Sequence, residues 1–197
     1  PKEGITAEVL VVDSFADLKA KAARAKGKMV LFNLPFTNYR ETVIVRRQGA
    51  IEAAKVGAVA SLIRSVGPFS MQTPHTGNMR YDDQVKRIPP AALSVEDARR
   101  RARMQSRGET IRVRLKMEAR TLPPAKSRNV MAEIRGREKP NEIVIVSGHI
   151  DSWDVGQGAM DDGGGSVAAW EAVRLMKGLG LRPRRTVRVV LWTNEEN

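Results

Sequence analysis

Three short stretches of this chain combine residue types that do chemistry together. Ser147-Gly148-His149-Ile150-Asp151 follows the apolar run Ile143 to Val146, and Glu195-Glu196 follows the run Val187 to Trp192. Between them lies Met160-Asp161-Asp162-Gly163-Gly164-Gly165, a carboxylate pair opening a helix. Both apolar runs read as buried parallel strands. In open α/β sheets, reactive groups collect just beyond the carboxyl ends of such strands. One imidazole and several carboxylates meeting at one sheet edge form a hard-metal or zinc site with a general base, which is the equipment of hydrolysis.

Each member has a role its chemistry suggests. His149 stands at a strand end beside the small Ser147-Gly148 pair, and Asp151 is near enough in sequence to bond the other ring nitrogen and fix its tautomer. Gly163 to Gly165 let the backbone turn sharply and approach closely where a Cβ would obstruct. The positive end of the following helix favours negative charge at Asp161 and Asp162, and an ionised carboxylate has two oxygens with which to bridge two cations. Adjacent acids point in different directions, so one of Glu195 and Glu196 can hold a metal while the other handles protons. Taken singly, each motif has an ordinary reading: a satisfied polar strand end, a capped turn, a solvated acidic pair. The specificity lies in the three together. The Gly-rich stretch is not a phosphate loop, because it lacks the Gly-Lys-Ser/Thr ending and carries acids.

Trp153, Asp154 and Gln157 fall in the loop between the motifs and read as pocket wall or as groups behind the ligands, with packing an equal alternative. His75, in Pro74-His75-Thr76-Gly77, reads as structural, and Trp170 reads as core.

The elements that must position these groups are α/β in type. Ile5 to Val12, Met29 to Asn33 and Ala58 to Ile63 read as strands, with a Ser14-capped helix to about Ala25 and a second helix over Val45 to Val56. Leu34 to Thr42 reads as a loop and Val66 to Pro90 as a long irregular excursion. Ser94 with Asp97 marks a helix start running to about Ser106, and Thr110 to Ala119 alternates as a half-exposed strand. Leu122-Pro123-Pro124-Ala125-Lys126 is the best linker. Beyond it come a strand over Ser127 to Gly136, the first site strand, a helix over Ser166 to Lys177 and the second site strand. Residues 1–115 therefore form a small α/β unit without a convergent polar constellation, and residues 116–197 the front part of a larger α/β sheet bearing the site.

Composition narrows the classes further. With 197 residues and 42% hydrophobic content, one medium or two small domains can bury a core. No apolar run approaches the roughly 18 residues of a membrane span. The chain has no cysteine, hence no disulfide framework, cysteine zinc site or thiol nucleophile. It begins with Pro1 and shows no basic-then-apolar leader; a start other than Met and an end just after Glu196 read as a fragment. The net charge of +12 raises nucleic-acid binding through the Arg99-Arg100-Arg101-Ala102-Arg103 cluster as one reading. Aromatics at 5% leave few stacking platforms, so solvated basic faces are the better account. A non-catalytic interaction module is the other competing reading.

The run from Ser147 to Gly165, followed by Val190-Leu191-Trp192-Thr193-Asn194-Glu195-Glu196, strongly resembles the M28 family of co-catalytic zinc exopeptidases, and the first half, with Ile88-Pro89 and Ser94 to Ala98, is similar to a protease-associated insert. The resemblance implies two zinc ions per complete site. His149 would ligate one, Asp161 would bridge both, Glu196 would ligate the second, and Glu195 would be the general base. Asp151 would orient His149, and Asp162 would follow Asp161 through an unusual cis peptide. Two further ligands, an Asp and a His, would lie beyond Asn197, so the 197 residues alone are expected to be an incomplete catalytic unit. The implied substrates are dipeptides and short peptides with a free terminus. A homodimer and residence in the secretory pathway, lysosome or extracellular space are implied in the same way.

Overall fold

In a computed structural model, residues 3–120, 122–153 and 156–196 are described. Residues up to Arg120 and from Thr121 onward form two separate units.

The first unit is organised by a sheet in the order β4-β3-β2-β1-β5. Its strands are β1 (Ile5–Val12), β2 (Met29–Phe32), β3 (Ala60–Arg64), β4 (Pro90–Leu93) and β5 (Arg112–Leu115). β1 to β4 run parallel, and β5 is antiparallel to β1. Both faces are covered, which is why these strands read as continuous apolar runs rather than as an alternation. Leu10, Val12, Val30, Phe32 and Ile63 pack on one side with Leu18, Val45, Ala50 and Ala53, while Val9, Val11, Met29, Leu31 and Leu62 pack on the other with Ala98 and Ile111.

The helices follow local capping chemistry. Ser14 Oγ accepts from Asp17 N at 3.0 Å and starts α1 (Phe15–Ala20). A non-helical Lys21 then separates α1 from α2 (Ala22–Ala25), so the single helix expected there is two short ones. Asn38 caps α3 (Tyr39–Thr42), a turn within the expected loop, because its side chain accepts from Glu41 N at 3.0 Å. α4 (Ile44–Lys55) buries Val45, Arg46, Gly49, Ala50 and Ala53. Ser94 Oγ accepts from Asp97 N at 3.0 Å at the start of α5 (Val95–Ser106).

β4 was not evident in the sequence, being a four-residue Pro-Ala-Ala-Leu strand with no apolar alternation. β5 keeps the expected alternation but over fewer residues than Thr110 to Ala119.

The long excursion before β4 is tied down by a single carboxylate. Glu96 on α5 accepts from the Ser70 hydroxyl at 2.8 Å and from the Ser70, Met71 and Gln72 N–H groups at 3.2–3.3 Å.

The second unit holds a three-stranded sheet in the order β6-β8-β7, from β6 (Val130–Ile134), β7 (Lys139–His149) and β8 (Arg185–Trp192), with α6 (Gly164–Gly178) between β7 and β8 in sequence. β7 and β8 are parallel and β6 is antiparallel to β8. Ala169 and Val173 of α6 pack on Val189, with Ile134, Val146, Val187 and Leu191 around them. The expectation of two buried strands holds for β8, where Val189 and Val190 are buried, but not for β7. Ile143, Val144 and Ile145 are exposed because β7 is an edge strand whose only partner among the described residues is β8. Trp170, expected in the core, is 60% exposed on α6.

Hydrogen bonds to its charged form, first from its own main-chain N–H, then from the Ser70 hydroxyl and the loop N–H groups, lower the Glu96 pKa to about 2. A depressed carboxylate stabilises the fold above its unfolded pKa, near 4.3, and that contribution is lost as pH falls toward about 2. Denaturation curves taken from pH 6 to pH 2 should therefore show Glu96→Gln less stable than the parent at pH 6, with the two converging at the acid end. A gap that stays constant with pH would remove Glu96 from this role.

Candidate metal centre

Strand register sets the level of the site. His149, the last residue of β7, is paired with Trp192, the last of β8, and Ile150 N donates to Trp192 O at 2.7 Å. Both chemistry-bearing loops thus leave the sheet side by side at its carboxyl edge, as expected for this sheet type.

Two carboxylates bind these loops together. The Asp162 carboxylate accepts from His149 N at 3.0 Å and from Gly165 N at 3.1 Å, joining the end of β7 to the start of α6. Ser166 Oγ adds a bond to the His149 carbonyl at 3.0 Å. The glycines make this closeness feasible. A Cβ on Gly148 would lie 2.6 Å from Ser166 N and 2.7 Å from Asp162 Oδ2, and one on Gly165 would overlap the Asp162 carboxylate. The second carboxylate, Asp151, accepts from Glu195 N and Glu196 N at 3.1 Å each, so it holds the loop after β8 against the loop after β7. Asn194, at φ 66°, turns the chain into that arrangement.

The ligand-type atoms converge on the His149 ring. Its Nδ1 lies 3.0 Å from the Asp151 carbonyl oxygen and 3.6 Å from the Asp151 carboxylate. The orienting partner is therefore chiefly the main-chain carbonyl, which accepts from Nδ1–H and leaves the Nε2 lone pair facing the acidic side chains. Nε2 faces Asp161 Oδ1 at 3.0 Å and Glu195 Oε2 at 3.8 Å. Ligand atoms of His149, Glu195 and Glu196 all lie within 4.8 Å of one another. Two N/O ligands about 2.0–2.1 Å from a tetrahedral zinc stand about 3.3 Å apart, so the His149–Asp161 pair fits one ion without rearrangement. The Asp161 side chain is largely exposed. The peptide bond joining it to Asp162 is cis.

Charge follows this geometry. Burial disfavours the His149 imidazolium, but the Asp151 carbonyl, the Asp161 carboxylate and the charges of Glu195 and Asp162 outweigh it and raise the pKa above the usual value. At Asp151 burial is likewise the largest single influence and acts upward, yet the Glu196 and Glu195 N–H groups together win and lower the pKa.

Of the remaining residues singled out in the sequence, Trp153 sits near the site loop with its side chain a third exposed, and Asp154 lies outside the described residues. His75 belongs to the first unit, where its ring lies 6.2 Å from that of Tyr39. Sequence reasoning missed Ser166. Its only signal was a hydroxyl at the start of a helix following glycines, a pattern shared by countless caps.

Residues 129–197 match the model of peptidase family M28. Carboxypeptidase Q of Pongo abelii is 60% identical over 196 residues, covering 100% of this chain and 42% of the relative. A peptidase M28 precursor of Shewanella amazonensis, solved by crystallography, is 36% identical with a TM-score of 0.91, covering 100% of this chain and 46% of that one. A zinc aminopeptidase of Bacillus subtilis, 22% identical with a TM-score of 0.62, covers 97% of this chain and 42% of that one, and shows a shared fold. Residues 129–197 are thus similar to peptidase family M28, and the chain as a whole is similar to carboxypeptidase Q. It spans less than half the length of that relative.

The close approach at Gly148 yields a test of the stitched core of the site. Gly148→Ala should destabilise the second unit by about 1–3 kcal/mol, the usual cost of overpacking. Gly178→Ala, which meets nothing within 4 Å at the end of α6, should be neutral or mildly stabilising. Urea denaturation followed by tryptophan fluorescence reads both, since all three tryptophans (Trp153, Trp170 and Trp192) lie in this unit. Equal effects from the two substitutions would contradict the packing account.

Proposed function

We propose that this chain supplies the front part of a co-catalytic di-zinc exopeptidase acting on dipeptides and short peptides with a free terminus. In this reading His149, Asp161 and Glu196 hold the ions, with Asp161 shared between them. Residues 1–115 serve as a protease-associated unit. The supporting observation is the convergence of the His149, Asp161, Glu195 and Glu196 ligand atoms at the common carboxyl edge of two parallel strands. The zinc named for the Bacillus relative and the peptidase names of the others agree with that donor set.

Zinc, when bound, supplies a Lewis acid and a water acidified toward neutral pH. The chain's own residues do the rest. Glu195 takes a proton from the attacking water and returns it to the leaving amine. Asp151 keeps both glutamates and the imidazole in register through its carboxylate and its carbonyl. Asp162 and Ser166 fix the backbone on which His149 stands. A homodimeric assembly and residence in the secretory pathway or lysosome belong to the same proposal.

Three substitutions in the full-length protein separate the roles. Glu195→Gln should lower dipeptide hydrolysis by about 10²–10⁴-fold while zinc content stays near the parent value. His149→Ala and Glu196→Gln should lower zinc content itself. Activity that survives Glu195→Gln, or hydrolysis indifferent to a chelator, would defeat the proposal.

The 197-residue chain offers two ligands for each ion, His149 with Asp161 and Asp161 with Glu196, against about three for a catalytic zinc. Competition with a chromophoric chelator should accordingly give it micromolar or weaker zinc affinity. Nanomolar affinity would show that the ligand assignment is wrong.

A further inference from the structure

The first unit contains a cavity of about 370 Å³ between α4, β3, β4 and the loop around Thr76, in the lower part of the range for small-molecule sites. Its walls are mostly apolar, from Ile63, Met79 and Ala92 among others. Three polar residues line it, Arg46, Ser61 and Thr76, of which Arg46 and Ser61 are buried, at 9% and 0% exposure. These two each carry an atom with no partner: Arg46 Nε and Ser61 Oγ.

The arginine is the unusual member. Its Nη1 donates to the Thr76 carbonyl at 2.9 Å and its Nη2 to the Tyr39 hydroxyl at 2.8 Å. The guanidinium lies against Gly77, where a Cβ would come within 2.5 Å of it, so it sits at the Thr76–Gly77 wall of the cavity. No acidic side chain pairs with it among the described residues. The guanidinium carbon also lies 5.7 Å from the centre of the Tyr39 ring, so its compensation comes from two neutral oxygens and an aromatic face, with no full negative charge. It also retains donors to spare, since a guanidinium carries five N–H bonds in a planar fork that suits a carboxylate.

We infer that this cavity is a binding site for a small apolar monocarboxylate, held by the Arg46 guanidinium with its hydrocarbon body against Ile63, Met79 and Ala92. One guanidinium balances one negative charge, which favours a monoanion over a phosphate. The lining residues include no acid to receive an ammonium group, so a zwitterionic amino acid or unblocked dipeptide fits less well than a simple acid. The site therefore selects chemistry different from that of the proposed peptidase substrate, and it lies wholly within the first unit.

The test is calorimetric titration of the 197-residue chain, in chelator, with phenylacetate, 4-methylpentanoate, phenylacetamide, leucine and inorganic phosphate. The inference expects saturable sub-millimolar binding of the two acids, with the amide, leucine and phosphate at least tenfold weaker. Arg46→Met should abolish acid binding, and Ala92→Leu, which fills the cavity without touching the charge, should weaken it at least tenfold. Should Arg46→Met fail to fold, Ala92→Leu carries the test. No saturable acid binding, equal binding of acid and amide, phosphate binding as tightly as the acids, or affinity unchanged in Ala92→Leu would each overturn it. Because chelator is present throughout, failure here leaves the zinc proposal untouched, and loss of peptidase activity elsewhere says nothing about this cavity.

Discussion

The site rests on carboxylates that bond to backbone rather than to any ion. Asp162 holds His149 N and Gly165 N, and Asp151 holds Glu195 N and Glu196 N. Of these four charge-assisted bonds, the one from Gly165 N is local, 3 residues from Asp162, and the other three join segments 13 to 45 residues apart. Without them, three acids and an imidazole of like purpose would face one another across flexible loops, and the mutual repulsion of the carboxylates would spread them apart. Because their partners are N–H groups, Asp151 and Asp162 spend their own charge on the scaffold. That leaves Asp161, Glu195 and Glu196 free to face the space in front of His149. The division of labour explains why five acids cluster within so short a stretch of sheet edge.

The glycines are the second half of that constraint. Gly148 and Gly165 face the Asp162 carboxylate from the two segments it joins, and neither can carry a Cβ at the observed separation. Their role is steric, and it depends on close approach rather than on unusual backbone angles. Parallel pairing adds the last requirement, since the register His149↔Trp192 makes both strands end at one level. A slip of one residue in either strand would turn His149 to the opposite face of the sheet.

Much of this was legible from residue types. The strand–loop–helix–strand order and the convergence of His149, Asp161 and the Glu195-Glu196 pair follow from apolar runs ending in polar motifs, since strand ends at one sheet edge bring such motifs together. Other features were not legible, for definable reasons. The sequence shows that Asp151 is near His149, but not that its carbonyl takes the imidazole while its carboxylate reaches across to the next strand. That division depends on Asn194 adopting a positive φ, which no local pattern announces. The apolar character of Ile143 to Ile145 suggested burial, yet burial depends on neighbours, and β7 has one strand partner among the described residues. β4 was hidden because Pro-Ala-Ala-Leu has weak strand character and is held by pairing with β3. The unpaired Arg46 was equally invisible, since a buried and a solvated arginine look alike in a helix.

The central claim is that His149 Nε2, Asp161 and the Glu195-Glu196 pair surround a common position for divalent ions. Its most direct measurement is anomalous diffraction at the zinc edge from crystals of the protein soaked with zinc. The account predicts density within bonding distance, about 2.0–2.2 Å, of both His149 Nε2 and an Asp161 carboxylate oxygen, with Asp151 and Asp162 still bonded to backbone. Zinc found only elsewhere on the chain, or bound by Asp151 or Asp162 after their backbone bonds have broken, would contradict it.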